Sequence, residues 1–67
     1  MGAVALRDEL LTVDQVLEEL GGISRRTFFR WRELGRAPLC VKLPNGELRV
    51  YRSDFNTWLR RLRERVA

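Results

Sequence analysis

The sequence contains no histidine and only one cysteine, Cys40. Histidine is the commonest general base and the commonest zinc ligand, so its absence removes the usual residue for acid–base catalysis and for a zinc site. A single cysteine cannot form an intramolecular disulfide, and there is no thiol cluster that could bind a metal. We therefore expect no cofactor, and we expect Cys40 to be a small, half-buried packing residue.

Long apolar runs are also missing. No segment is long and apolar enough to span a membrane, and the N-terminal MGAVALRDELL is too short in its apolar part and too acidic for a signal peptide. These absences predict a reduced, cytoplasmic setting and no membrane partner. An enzyme is disfavoured, because the side chains that could act as nucleophiles stand without a histidine or paired carboxylates: Ser24, Cys40, Tyr51 and Ser53.

The chain length predicts one small domain. Sixty-seven residues lie near the lower limit for unaided folding, yet two Trp, three Phe and many Leu and Val are enough for a globular core. The first nine residues carry no turn chemistry and little periodicity. We expect a flexible lead-in over residues 1–9 and a single domain over residues 10–67.

Charge is distributed unevenly along the chain. Residues 1–24 contain one basic and five acidic residues, whereas residues 25–67 contain twelve basic and four acidic residues. A positive side and an acidic back are the electrostatic pattern of a nucleic-acid binder. A basic face that docks an acidic protein partner is the alternative.

The first predicted helix follows an extended Leu10-Leu11 pair. Thr12–Gln15 has the pattern of a capping box, and apolar residues then recur at helical spacing: Val13, Val16, Leu17 and Leu20. The opposite face is acidic: Asp14, Glu18 and Glu19. We expect that face to point away from any DNA, because phosphates would repel it.

A second helix follows after a short turn containing Gly21-Gly22. Ser24 is a good N-cap and Gly35 a good C-terminal stop. Two helices joined by a glycine turn of about four residues have the spacing of a helix-turn-helix. A purely structural helical hairpin has the same turn, but the charge contrast between the two helices favours DNA binding.

The second helix has an apolar side and a basic side. The predicted core side contains Thr27, Phe28, Trp31 and Leu34, and the outer side contains Arg25, Arg26, Phe29, Arg30 and Glu33. The outer side could place cations on phosphates and an apolar edge against a sugar or a thymine methyl. For Phe29 two interpretations stay open: direct ligand contact, or partial coverage by a neighbouring segment.

A two-stranded hairpin and a third helix complete the pattern. Residues 39–43 and 48–52 alternate around the turn at Pro44–Glu47, with the inward positions Leu39, Val41, Leu43, Leu48 and Val50. Lys42 and Arg49 are expected to project outward near the tip. Ser53 is the predicted cap of the last helix, whose apolar face contains Phe55, Trp58, Leu59, Leu62 and Val66.

The C-terminal half of this last helix is strongly basic, with Arg60, Arg61, Arg63 and Arg65. Cations at a helix C-terminus complement the macrodipole and keep a small domain soluble, which is our preferred interpretation. A secondary contact with phosphate or with a neighbouring protomer is the alternative.

The ordered set of elements resembles the excisionase-type winged helix-turn-helix domains related to the MerR DNA-binding domain. The resemblance covers residues 10–62 and rests on LLTVDQVLEEL, SRRTFFRWRELGRAP and RVYRSDFNTWL. It implies an α+β fold of helix, turn, recognition helix, β-hairpin wing and C-terminal helix. It also implies a groove-contacting set, Ser24, Arg25, Arg26, Thr27, Phe29 and Arg30, and a wing set, Lys42, Asn45, Gly46 and Arg49.

The resemblance carries an expected function. Small phage and plasmid excisionases are recombination directionality factors, which bind attachment-site DNA in several copies, bend it and direct a site-specific integrase toward excision. The family also includes small transcription regulators. No long dimerisation helix follows the wing, so the chain is expected to bind double-stranded DNA as a monomer or by head-to-tail self-association, in the bacterial cytoplasm beside the nucleoid.

Overall fold

The computed structural model describes residues 8–64. In this range the elements are β1 (Leu10–Thr12), α1 (Val13–Glu19), α2 (Arg25–Glu33), β2 (Val41–Lys42), β3 (Leu48–Tyr51) and α3 (Arg52–Leu62). Within residues 8–64 the fold is thus a small α+β arrangement of three helices and one antiparallel sheet, in the strand order β1-β3-β2. Residues 1–7 of the predicted lead-in over residues 1–9, and the predicted core position Val66, lie outside the described residues.

The start of α1 confirms the predicted capping box. The Gln15 N–H donates to the Thr12 hydroxyl at 3.1 Å, and the Thr12 N–H donates back to the Gln15 side-chain oxygen at 2.8 Å. Each bond satisfies a donor that the first helical turn leaves without a partner. The apolar stripe of this helix is buried at Val13, Val16 and Leu17.

The predicted ends of the helix pair are confirmed too. At the end of α1, the Gly22 N–H donates to the Leu17 carbonyl at 2.9 Å, and Gly22 has a φ of +88° that side chains disfavour. Ser24 caps α2 by accepting a hydrogen bond from the Thr27 N–H at 3.1 Å. Gly35, with a φ of +72°, ends α2 in the same manner as the glycines end α1.

The predicted two-stranded hairpin is present as β2 and β3, and β1 adds a third strand to the sheet. Leu10 and Leu11 are extended as predicted, but they form a strand, in which Leu10 lies opposite Tyr51 and Leu11 opposite Val50. Leu11 and Val50 are both buried almost completely. An isolated hairpin is marginal in water, and β1 supplies the third strand that satisfies the free edge of β3.

The register of the hairpin corrects the predicted inward set. Leu48 and Val50 face the core, but β2 pairs Val41 with Arg49 and Lys42 with Leu48, so the predicted inward position Val41 lies on the side of Arg49. The predicted set fits a two-residue loop, whereas the observed loop has three residues, closed by a 2.8 Å bond from the Leu43 N–H to the Glu47 carbonyl. One additional loop residue turns every side chain of β2 to the other face.

Two further hairpin positions follow from this shift. Leu43 is half-buried and lies outside the core cluster, and Leu39, a predicted inward position, is 74% exposed. Cys40 packs against the core instead, where it is half-buried as predicted. Lys42 lies on the face of its partner Leu48, and Arg49 lies on the opposite face because successive residues of a strand point to opposite sides.

The start of α3 differs from its prediction. The helix begins at Arg52, directly after β3, so the predicted cap Ser53 already lies in the first turn. The capping carboxylate comes from Asp8, which accepts hydrogen bonds from the Ser53 N–H at 2.9 Å and from its hydroxyl at 2.6 Å. Asp8, which is distant in sequence, therefore caps α3 in place of Ser53.

The core lies between the sheet and the three helices. Its most completely buried side chains are Leu11, Val16, Phe28, Val50 and Phe55. Trp58 is also buried, its indole N–H donates to the Arg36 carbonyl at 2.9 Å, and its ring lies 6.0 Å from that of the half-buried Trp31.

The predicted apolar faces of α2 and α3 are too long. Leu34, Leu59 and Leu62 are 51%, 37% and 56% exposed, because Phe28, Phe55 and Trp58 already cover so small a sheet. In the described part of the chain, no helix has the length and apolar character needed to cross a membrane.

Candidate nucleic-acid interface

The outer surface of α2 carries two parallel stripes of side chains. Positions separated by four and then three residues lie on one stripe, so Arg25, Phe29 and Arg32 form the first stripe and Arg26, Arg30 and Glu33 the second. The single basic face predicted from the sequence is therefore divided into two surfaces with different neighbours.

The first stripe lines an open cleft that three elements share, which we call the cleft. Its lining consists of Thr12, Val13 and Asp14 from the start of α1, Arg25, Phe29 and Arg32 from α2, and Lys42, Gly46, Glu47, Leu48 and Arg49 from the hairpin. The structure thus brings part of the predicted recognition-helix set together with most of the predicted wing set.

The second stripe lines a neighbouring groove on the other side of Phe29. Arg26, Thr27, Arg30 and Glu33 line it, and Phe29 borders both the groove and the cleft. Of the predicted site residues, Ser24 and Asn45 line neither of these surfaces.

Phe29 is half-buried between the two surfaces. Its ring packs edge-on against Phe28, with the centroids 5.8 Å apart, and the Arg32 guanidinium carbon lies 5.9 Å from its centroid. Phe28 and Arg32 of the same helix thus cover part of the ring, and both interpretations of Phe29, coverage by a neighbouring segment and direct ligand contact, stay open. The uncovered part of the ring is an apolar surface between cations.

Three of the predicted DNA-contacting arginines are paired with carboxylates. Arg25 lies 3.0 Å from Asp14, Arg30 lies 3.9 Å from Glu33, and Arg49 lies 2.8 Å from Glu47. Asp14 belongs to the acidic side of α1 that was expected to point away from any DNA, yet it lines the cleft beside Arg25. Its place in the first turn of α1 puts it opposite the first residue of α2.

The cleft and the groove also contain three cations that have no ion pair within residues 8–64: Arg26, Arg32 and Lys42. All three are exposed, and Arg32 and Lys42 line the cleft from opposite sides. Arg32 was not among the predicted site residues. Its spacing of three residues from Phe29 and seven from Arg25 is the signal that places it on the same stripe.

Arg49 is held more firmly than the other arginines of the cleft. Its side chain is 24% exposed, and its guanidinium donates to the Leu48 carbonyl at 2.9 Å and to the Glu47 carboxylate at 2.8 Å. Two of the five N–H donors of the Arg49 guanidinium are thus engaged inside its own hairpin, whereas Lys42 has no ion pair within residues 8–64.

Several predicted site residues form hydrogen bonds within the fold or allow a loop conformation. The Ser24 hydroxyl accepts from the Thr27 N–H and donates to the Thr27 hydroxyl at 3.0 Å. The Asn45 side-chain oxygen accepts from the Glu47 N–H at 2.9 Å, and Gly46 has a φ of +91° that the loop requires. These contacts shape the start of α2 and the tip of the hairpin.

Cys40 lies behind the cleft rather than in it. Its thiol donates to the Pro38 carbonyl at 3.4 Å, and burial raises the pKa of the thiol, an effect that the Arg32 guanidinium opposes. A raised pKa keeps the thiol protonated at neutral pH, which agrees with a packing role.

A second cluster of charges lies at the other end of α1. The Arg52 guanidinium donates to both Glu19 carboxylate oxygens, at 2.8 and 2.9 Å, and to the Glu9 carboxylate at 3.1 Å. These hydrogen bonds from Arg52 hold the pKa of Glu19 below its ordinary value, while burial opposes them. The hydrogen bonds to Glu19 and Glu9 raise the pKa of Arg52 in turn.

Neither metal-ligand chemistry nor relatives indicate a function. The described residues contain no group of three or more candidate metal ligands close together. Comparison with known proteins found no matching family, no matching curated protein and no matching solved structure. What the chain binds must therefore follow from the chemistry of its own surface.

Proposed function

We propose that the protein binds double-stranded DNA as a winged helix-turn-helix, with α2 in the major groove and the β2–β3 hairpin as a wing against the flanking backbone. The observation that supports this proposal is a set of exposed cations, without an ion pair in the described range 8–64, on adjoining surfaces of α2 and the hairpin: Arg26, Arg32 and Lys42. Phosphates attract such cations, and Phe29 between them offers an apolar contact to sugars or thymine methyls.

The dimensions of α2 agree with this proposal. A helix of nine residues is about 13 Å long, and a helix of ordinary diameter fits a major groove about 12 Å wide. The outer surface of α2, with Arg25, Arg26 and Arg30, is the surface that would meet base edges. The cleft beside it would receive a phosphate backbone between Arg32 and Lys42.

The biological role we propose is that of an excisionase-type architectural factor. The resemblance of residues 10–62 to that family supports this role, because the matching motifs follow one another in the family's order. Several copies would bind attachment-site DNA head to tail and direct an integrase toward excision.

Fluorescence anisotropy with a labelled duplex of random sequence tests DNA binding. If five or six phosphates are neutralised, the logarithm of the affinity falls with the logarithm of the salt concentration at a slope of about −5. R26A/R30A should bind much more weakly than R60A/R61A, a matched control that removes the same charge from the exposed end of α3. No binding by the parent at low salt would show that the basic surface serves an acidic protein instead.

A selected binding site tests the architectural role. Gel-shift and bending measurements on direct repeats of that site should show discrete complexes with several copies and a bent duplex. A single complex without bending would favour the small transcription regulator over the excisionase.

A further inference from the structure

We propose that Asp14 is a specificity-determining residue of this surface, because its carboxylate competes with DNA for Arg25. The inference rests on the proposed DNA binding and concerns how the same surface distinguishes one sequence from another. Asp14 and Arg25 belong to different helices, and both line the cleft.

The charge pattern of α2 explains why the pair forms. The first turn of α2 contains Arg25 and no acidic residue, although the N-terminus of a helix disfavours cations. Asp14 supplies the missing negative charge from the first turn of α1, with its Oδ1 atom 3.0 Å from the Arg25 Nη2 atom. The pair is therefore the natural resting state of Arg25 in the absence of a ligand.

The exposure of the pair makes it exchangeable. The two side chains are 57% and 73% exposed, and an ion pair this open to water is weak. A DNA acceptor can replace the carboxylate only if it is placed well enough to bind the guanidinium at least as tightly. A guanine edge that accepts two hydrogen bonds meets that condition, whereas a phosphate at an arbitrary position does not.

This exchange separates two kinds of cation on the surface. Arg32 and Lys42 have no ion pair to break within residues 8–64, so they can bind phosphates on any sequence. Arg25 stays with Asp14 on most sequences and joins the interface on a matching one. Asp14 thereby lowers non-specific affinity more than it lowers affinity for the preferred site.

The variant D14N tests this proposal, because it removes the charge and keeps the size of the side chain. On a labelled duplex of random sequence, D14N should bind roughly two- to fivefold more tightly than the parent, which is the range for exposed ion pairs. Its salt dependence should be steeper by about one unit, because Arg25 then neutralises one more phosphate. Circular dichroism and thermal melting should confirm that the variant is folded.

The matched control is E18Q. Glu18 is an exposed acid of the same helix that makes no ion pair within residues 8–64, so its removal changes net charge alone. A thermodynamic cycle with R25A gives the second control, since the gain from D14N should disappear in R25A/D14N. In a selection from random sequences, D14N should also accept more sites than the parent.

The outcomes distinguish this proposal from the function on which it rests. If the parent binds DNA but D14N behaves like E18Q, or if the gain persists in R25A/D14N, Asp14 is only a general negative charge and the proposal is overturned. If the parent does not bind the random duplex even at low salt, the proposed function itself fails.

Discussion

The two ends of α1 carry the same kind of ion pair in two different settings. At its start, Asp14 makes a single contact with Arg25, whose side chain is 57% exposed. Near its end, Glu19 receives two hydrogen bonds from Arg52, whose side chain is 33% exposed and which also binds Glu9. One arginine has one weak partner, and the other has three charge-assisted hydrogen bonds.

The comparison shows that residue type alone does not decide what an ion pair does. The Arg52 fork joins α1, the segment before β1 and α3, and its planar guanidinium matches the carboxylate geometry. We infer that this cluster belongs to the fold. The Arg25 pair joins two helices at an exposed rim and is available for exchange with a ligand.

The largest expected loss of stability comes from a substitution in the core, because the ion pairs at both ends of α1 depend on the core. Phe28 is completely buried beneath Phe29, and replacing it with alanine should cost about 3–5 kcal/mol of unfolding free energy. In so small a domain this loss should unfold most of the protein at room temperature. Urea denaturation followed by tryptophan fluorescence measures it.

The conservative variant F28L is the control for that experiment. It keeps most of the buried volume and should remain folded with a smaller loss. A folded F28A protein with nearly parental stability would mean that the core does not hold α2 in place.

The next largest effect on stability distinguishes Arg52 from Arg25. R52K keeps the positive charge but loses the fork that binds Glu19 and Glu9, so the thermal midpoint should fall clearly. R25K should leave the midpoint almost unchanged, because a lysine can replace a single exposed contact. Equal shifts in the two variants would remove the distinction between the two ends of α1.

Acidification should selectively weaken the ion pair at the Glu19 end of α1. The pKa of Glu19 is lower in the folded chain than in the unfolded one, so its pair contributes stability above the ordinary glutamate pKa of about 4.3. That contribution is lost as the pH falls through the lower, folded value. The stability difference between the parent and E19Q should therefore be largest near neutral pH and close on acidification.

Urea denaturation at a series of pH values measures this difference. The matched variant E18Q should show a small difference from the parent at every pH, since Glu18 makes no ion pair in the described part of the chain. A constant difference between the parent and E19Q would contradict the assigned role of the Arg52 cluster.

The smallest effect on stability is expected at Arg25. An exposed pair contributes roughly 0–1 kcal/mol, so R25A should change the unfolding free energy by no more than that. A loss of several kcal/mol would place the Asp14–Arg25 pair in the fold rather than at an exchangeable rim.

The sequence predicts best those features that depend on neighbouring residues. The capping box at Thr12, the cap at Ser24 and the stop at Gly35 are each complete within a few residues, and all three are confirmed. The β1–β3 pairing and the Asp8 cap of α3 join residues more than 35 positions apart, and no local pattern indicates them.

In the candidate site, too, the sequence predicts local features better than contacts between distant residues. Helical spacing places Arg25, Phe29 and Arg30 on the surface of α2, and it could also have placed Arg32 there. The Asp14 partner of Arg25 was not predictable, because it depends on how α1 packs against α2. The sequence also does not indicate on which face of the sheet Lys42 lies, since one additional residue in the hairpin loop decides it.

The order of strands in the sheet also bears on how the chain is made. β3 lies between β1 and β2, and its partner Leu10 precedes Tyr51 by about 40 residues. A ribosome releases β1 and both helices of the first pair well before β3 exists. During that interval Leu11 and Val16 have no Val50 to cover them, so the emerging chain exposes its future core. Once β3 has been released, the local β2–β3 hairpin can close first, and β1 then pairs with the other edge of β3.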